Sequence, residues 1–195
     1  MTRRIPSQLQ RKSKQRHIPI DLIVCEGETE VDYLGELAKI LRIHVDIKKS
    51  KGSDPLSIVK TAKKNSKDYD KIYCMFDKDN HDANFTKSIE LCLQLRFIPI
   101  ISNPCIELWF LKHFILRQSA LGGAEATLKA LLKHLPEYEK DGVLTFYETY
   151  PRLDVACKNA SKLHSRTRDQ FHKDPYTNVD QLVFRLHEIQ KIKSQ

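Results

Sequence analysis

Two hydrophobic rhythms alternate along the first half of this chain. Short apolar or alternating runs at residues 20–25, 44–49, 71–76 and 97–101 read as strands. Between them lie stretches of helical period. After Gly27, Tyr33, Leu34, Leu37, Ala38 and Leu41 recur at helical intervals over residues 28–41. Asp54-Pro55 predicts a capped helix start. Ile58, Val59 and Ala62 then form one face, with Lys60, Lys63, Lys64 and Lys67 on the other side, as a solvated helix surface or alternatively a nucleic-acid stripe. Ile89, Cys92 and Leu93 point inward from a helix over 86–95, and residues 80–84 predict an irregular turn. Pro99 favours an edge or strand-end position for its strand. The order β-α-β-α-β-α-β implies an α/β fold with an open, mostly parallel four-stranded sheet, right-handed crossovers and flanking helices.

Asn103-Pro104 then starts a helix on which Ile106, Leu108, Trp109, Phe110, Leu111 and Phe114 are apolar nearly all round, so it is buried on most sides. Glu107 is the one charge in its first turn. A buried acid must be paired, neutral or bound to metal. Beyond Gly122-Gly123 the pattern is purely helical. Leu128, Leu131, Leu132 and Leu135 mark one helix, Leu153, Ala156, Ala160 and Leu163 another, and residues 178–191 the last. These divisions give a basic N-terminal arm (1–17), an α/β core (18–118) and a helical extension packed on it (119–195).

Composition adds limits. The 195 residues fit one domain with a modest extension, and 41% apolar content suffices for a core. No apolar run is long enough for a transmembrane helix, and the basic N-terminus lacks the apolar stretch of a secretory signal. Cys25, Cys74, Cys92, Cys105 and Cys157 are odd in number and lack paired metal-ligand spacing, which implies buried thiols in a reducing cytoplasm. A formal charge of +8 and a pI near 9.2 point toward polyanions. The arginines and lysines of the arm suit either phosphate neutralisation or a solvated tail.

The chemistry gathers where strands end. Glu26 follows the first strand, and Gly27 allows the sharp turn into the next helix. Asp77 and Asp79, i and i+2 at the end of the third strand, can point the same way out of the sheet. Two close carboxylates repel unless a cation lies between them, and Mg²⁺ takes oxygen ligands with only one or two protein carboxylates. The sheet is therefore expected to bring Glu26, Asp77 and Asp79 around a divalent ion, Mg²⁺ or alternatively Mn²⁺, in a centre suited to phosphoryl chemistry. Taken alone, Asp-Lys-Asp-Asn would be an ordinary acidic turn.

Val24-Cys-Glu-Gly27 together with Phe76-Asp-Lys-Asp79 resembles the Toprim superfamily, the catalytic domain of DNA primases, topoisomerases and several nucleases. Within it, Asp77-Lys-Asp-Asn-His81, Asn103-Pro-Cys-Ile-Glu-Leu-Trp109 and Asp174-Pro-Tyr-Thr-Asn-Val179 resemble the RloB family of small bacterial Toprim proteins. The resemblance implies Glu26 as general acid or base and Asp77 and Asp79 as Mg²⁺ ligands. It also implies a nuclease acting on RNA (tRNA included) or DNA as an effector of bacterial phage defence through abortive infection. Glu107 has no firm Toprim counterpart and is either a fourth carboxylate of the centre or part of a buried salt bridge.

Other residues carry weaker expectations. Lys78, His81, Arg166, Arg168 and Lys173 are candidates for substrate phosphates, although Lys78 on a strand faces away from its two acids. Glu28 and Glu30 read as first-turn acids favoured by the helix dipole. His113 reads as a core histidine. Tyr138, Tyr147, Tyr150 and Tyr176 could stack on splayed bases or simply pack. No Gly-x-x-x-x-Gly-Lys loop exists, so an ATPase or sensor partner would be a separate chain. The competing reading is a non-catalytic or partner-gated nucleic-acid-binding regulatory module. A small-molecule phosphotransferase would need a nucleotide pocket that the sequence does not display.

Overall fold

A computed structural model describes residues 17–52, 54–78, 82–164 and 168–195. Its centre is a sheet of β1 (Asp21–Cys25), β2 (Asp46–Lys49), β3 (Lys71–Asp77), β4 (Ile98–Asn103) and β5 (Tyr176–Thr177) in the order β2-β1-β3-β4-β5. The first four strands are parallel, and β5 pairs antiparallel with Ser102 and Asn103. The sheet thus has one more strand than the apolar runs imply, in an arrangement consistent with a Toprim-like fold. Two residues are too few for a periodic signal, so β5 was not legible.

Period-2 alternation sends each strand's side chains to two different cores. Ile23, Cys25, Tyr73, Met75 and Ile100 face α1 (Glu28–Leu41) and most later helices. Leu22, Val24, Ile72, Cys74, Phe76 and Ile101 face α2 (Pro55–Lys64) and α3 (Asp82–Gln94). Helix α2 starts as Asp54-Pro55 implies, with the Asp54 carboxylate accepting from the Leu56 and Ser57 N–H groups. The five cysteines are all buried free thiols.

Pro99 has no N–H to offer a neighbour, and among the described residues its strand has no partner strand on that side at this point. The Asn178 side chain fills the gap: its carbonyl accepts from the Ile101 N–H at 2.6 Å and its amide donates to the Pro99 carbonyl at 3.0 Å. A side chain thus completes the ladder where proline interrupts it.

The remaining helices are α4 (Glu107–Lys112), α5 (Ala124–Leu131), α6 (Gly142–Thr149), α7 (Leu153–Ser161) and α8 (Val179–Ser194). Helix α4 is buried all round, as its sequence predicts. Trp109, Phe110, Leu131, Phe146, Ala156 and Leu186 belong to the same apolar cluster as Ile23 and Tyr33, so residues 119–195 share a core with the sheet. Helix α6 is absent from the periodic pattern because its apolar residues, Val143, Leu144, Phe146 and Tyr147, do not share one face: Phe146 is buried, whereas Leu144 and Tyr147 are exposed. It packs on α1 through Gly142, where an added Cβ would lie 2.2 Å from the Thr29 carbonyl oxygen. Among the described residues no helix is long and apolar enough to cross a membrane.

Candidate carboxylate centre

Strand order reverses between β1 and β3, because β2 was laid down on one side of β1 and β4 on the far side of β3. In open α/β sheets the crevice at such a reversal, beyond the carboxyl ends of the strands, is the usual ligand site. Glu26 follows β1 and Asp77 ends β3, so both acids stand at that crevice. They are linked directly: the Asp77 N–H donates to Glu26 Oε2 at 3.2 Å. The Asp77 carboxylate accepts from the Ile106 N–H at 2.9 Å, which ties the start of α4 to the end of β3. This contact delivers Glu107 to the same place.

The resulting cavity, about 400 Å³, is lined by Glu26, Glu30, Asp77, Glu107, Glu125 and Lys140 among others. Glu26, Glu30, Asp77 and Glu107 are at least partly buried, whereas Glu125 is exposed. Glu30 is only 5% exposed and Glu107 equally so, values unusual for carboxylates. Burial, then the Glu30 and Glu26 charges, push the Asp77 carboxyl well above the ordinary range. Burial also raises Glu30, with Glu107 adding to the effect, while the Gly27 N–H and Lys140 oppose it. Glu107 accepts from the Tyr138 hydroxyl at 3.1 Å and lies 3.8 Å from the exposed Lys140 ammonium. Thr29 Oγ1 donates to the Lys140 carbonyl at 2.6 Å and fixes that segment over α1.

Glu28 and Glu30 are both first-turn acids of α1, as expected, but they differ in surroundings: Glu28 is exposed and paired at 3.0 Å with Lys49, whereas Glu30 is buried and lines the cavity. The usable signal was position. Glu30 lies on the same helical face as Tyr33, Leu34, Leu37 and Leu41, and a charge on a buried stripe demands a reason.

The structure places the other singled-out residues as follows. Glu107 belongs both to the centre and to a polar contact with Tyr138 and Lys140. Tyr138 and Tyr176 are buried, Tyr138 with its hydroxyl on Glu107, so both pack rather than stack on bases, while Tyr147 is exposed with its hydroxyl on Glu36. Tyr150 packs on Phe146 at 4.9 Å between centroids. His113 is a core histidine, its Nδ1 against the Trp109 and Phe110 carbonyls and its pKa depressed by burial to about 4. The Lys78 N–H continues the strand by donating to the Ser102 carbonyl. Lys173 is exposed beside Gln118, Lys162 and Asp174 and does not line the carboxylate cavity. Asp79, His81 and Arg166 lie outside the described residues, as does the basic arm apart from His17; of Arg168 only the backbone is described.

A cavity with an excess of carboxylate oxygens and one lysine fits a hard divalent cation in its donor chemistry. Among the described residues, no three such groups stand close enough to clasp an ion as they are.

A model of the RloB-like protein family matches residues 22–186, a span that runs from β1 into α8. No curated protein matches the chain, and no solved structure does.

Proposed function

The chain belongs to the RloB-like family, and on that premise we propose that it is a metal-dependent endonuclease hydrolysing RNA or DNA phosphodiesters. The observation that carries the reading is the convergence of Glu26, Glu30, Asp77 and Glu107 on one crevice at the strand-order reversal. Four acids there with a single exposed lysine form an anionic site, and a polyanionic substrate would be repelled from it unless a cation intervened. The resemblance to Toprim proteins supplies Mg²⁺ or Mn²⁺ as that cation, held by Asp77 and Asp79 with Glu107 nearby. When bound, the ion contributes charge neutralisation at the phosphate and a more acidic water.

The protein's own groups have distinct tasks. Glu26, anchored by the Asp77 N–H, is oriented to take a proton from attacking water or return one to the leaving oxygen. The Ile106 N–H holds one Asp77 oxygen, which sets the direction of the other. Tyr138 fixes Glu107, and Lys140 offers a positive charge at the cavity wall for a phosphate oxygen. Family resemblance further supports a role as an effector of phage defence, triggered through a separate partner.

Removing the proton-transfer group is the direct test. Glu26→Gln should lower metal-dependent cleavage by roughly 100-fold or more, the scale of general acid–base contributions, with an unchanged circular dichroism spectrum. Full activity in that variant would sink the role.

A further inference from the structure

One face of the sheet bears a helix whose exposed charges are all positive, whereas the other face mixes both signs, with Lys133, Lys140, Lys158, Lys162 and Lys191 exposed among its acids. Strand β2 ends beside Glu26: Lys49 pairs in register with Cys25, and the Ser50 N–H donates to the Cys25 carbonyl at 2.9 Å. Lys49 and Lys51 are therefore exposed next to the cavity mouth. Helix α2 begins a few residues on, at the same edge, and runs back along the sheet. Lys60, Lys63, Lys64 and Lys67 extend exposed from that helix and the turn after it. On the other face, the segment leading into α6 and the helix itself expose Glu137, Glu139, Asp141 and Glu148.

From this asymmetry we infer that the lysine ridge of β2 and α2 is a landing surface for the phosphate backbone of a nucleic acid, which then reaches the carboxylate cavity over the β2 edge. The inference rests on the nuclease reading, for which it supplies the path of the substrate. Helix α2 contains no carboxylate, so its lysines have no i,i+4 partner on their own helix and repel one another. A polyanion relieves that repulsion and releases its counterions in exchange. Lysines on an exposed edge strand also discourage sheet-to-sheet pairing. That role accounts for Lys49 but not for Lys60, Lys63 and Lys64 along the helix behind it or for Lys67 in the turn that follows.

The test compares two variants of the full chain with equal loss of charge. One replaces Lys51, Lys60, Lys63 and Lys64 by Gln; the other replaces Lys133, Lys158, Lys162 and Lys191 by Gln. Binding of a labelled single-stranded RNA and a labelled DNA duplex is followed by anisotropy in EDTA between about 50 and 200 mM salt. The ridge variant should bind at least about 10-fold more weakly, with the slope of log K against log salt shallower by roughly three, the share of four phosphate contacts. The second variant should stay within about 2-fold of the unmodified protein. Equal losses in both variants, no loss in the ridge variant, or no binding by the unmodified protein would each overturn the inference. Cleavage with Mg²⁺ is scored separately: ridge-dependent binding without cleavage refutes the nuclease reading alone, and cleavage indifferent to the ridge refutes the landing surface alone.

Discussion

Gly27 and Glu30 act as one unit at the mouth of the cavity. The Gly27 backbone is extended, so no left-handed conformation demands glycine there; the demand comes from space. A Cβ at this position would lie 2.8 Å from Glu30 Oε2, the far end of a flexible side chain. Gly27→Ala should therefore displace the carboxylate without unfolding anything. Cleavage should fall by roughly 10- to 100-fold, the usual effect of moving a group that orients a metal site. The melting temperature should move by no more than about 4 °C, the shift of about 1 kcal/mol in a protein of this size. Unchanged kinetics in Gly27→Ala would remove Glu30 from the centre.

Two contacts between elements give predictions that differ in their dependence on pH. Gly142 at the start of α6 sits against the α1 backbone, where an alanine Cβ would meet the Thr29 carbonyl oxygen at 2.2 Å and the Tyr33 nitrogen at 2.9 Å. Backbone cannot swing aside as a side chain can. Gly142→Ala should cost about 3 kcal/mol or more in urea denaturation, and an unchanged midpoint would mean that the α1–α6 contact is looser than described. His164, after α7, pairs with Asp180 at the start of α8 at 3.1 Å and faces the Thr177 carbonyl and the Tyr176 ring. Its hydrogen bond to buried Asp180 raises the imidazole pKa. A raised pKa means that folding favours the protonated form. The stabilisation is thus complete below about pH 6.5, the unfolded value, and fades as pH rises through the folded one. Replacing His164 by Gln should cost about 1.5 kcal/mol at pH 5.5 and much less at pH 8.5. An equal loss at both values would contradict the pairing.

Legibility in the sequence followed the size of the element. The β1-α1-β2-α2-β3-α3-β4 order was readable because each piece repeats its hydrophobic period several times. Strand β5 and helix α6 were not, because one has two residues and the other is held by a glycine contact that no periodicity reveals. In the centre, Glu26 and Asp77 were readable because they end apolar strands, and Glu107 because it interrupts an apolar helix. The rule about acids at helix starts holds for both Glu28 and Glu30, but it gave no sign that Glu30 is buried against the cavity.

At the scale of the whole molecule, a net charge of +8 coexists with an anionic crevice at the sheet's centre. Positive charge outside attracts a phosphate backbone, and negative charge inside needs a cation before that backbone can enter. The account thus makes metal and nucleic acid interdependent. The measurement that tests it most directly is incubation of the purified chain and its Asp77→Asn variant with tRNA, single-stranded RNA and plasmid DNA, each with Mg²⁺, Mn²⁺ or EDTA. The account predicts cleavage of at least one substrate by the unmodified chain with a divalent ion. EDTA should abolish that cleavage, and Asp77→Asn should lower it by roughly 100-fold or more, with the variant still folded. Cleavage that survives EDTA, or that Asp77→Asn leaves intact, would contradict it.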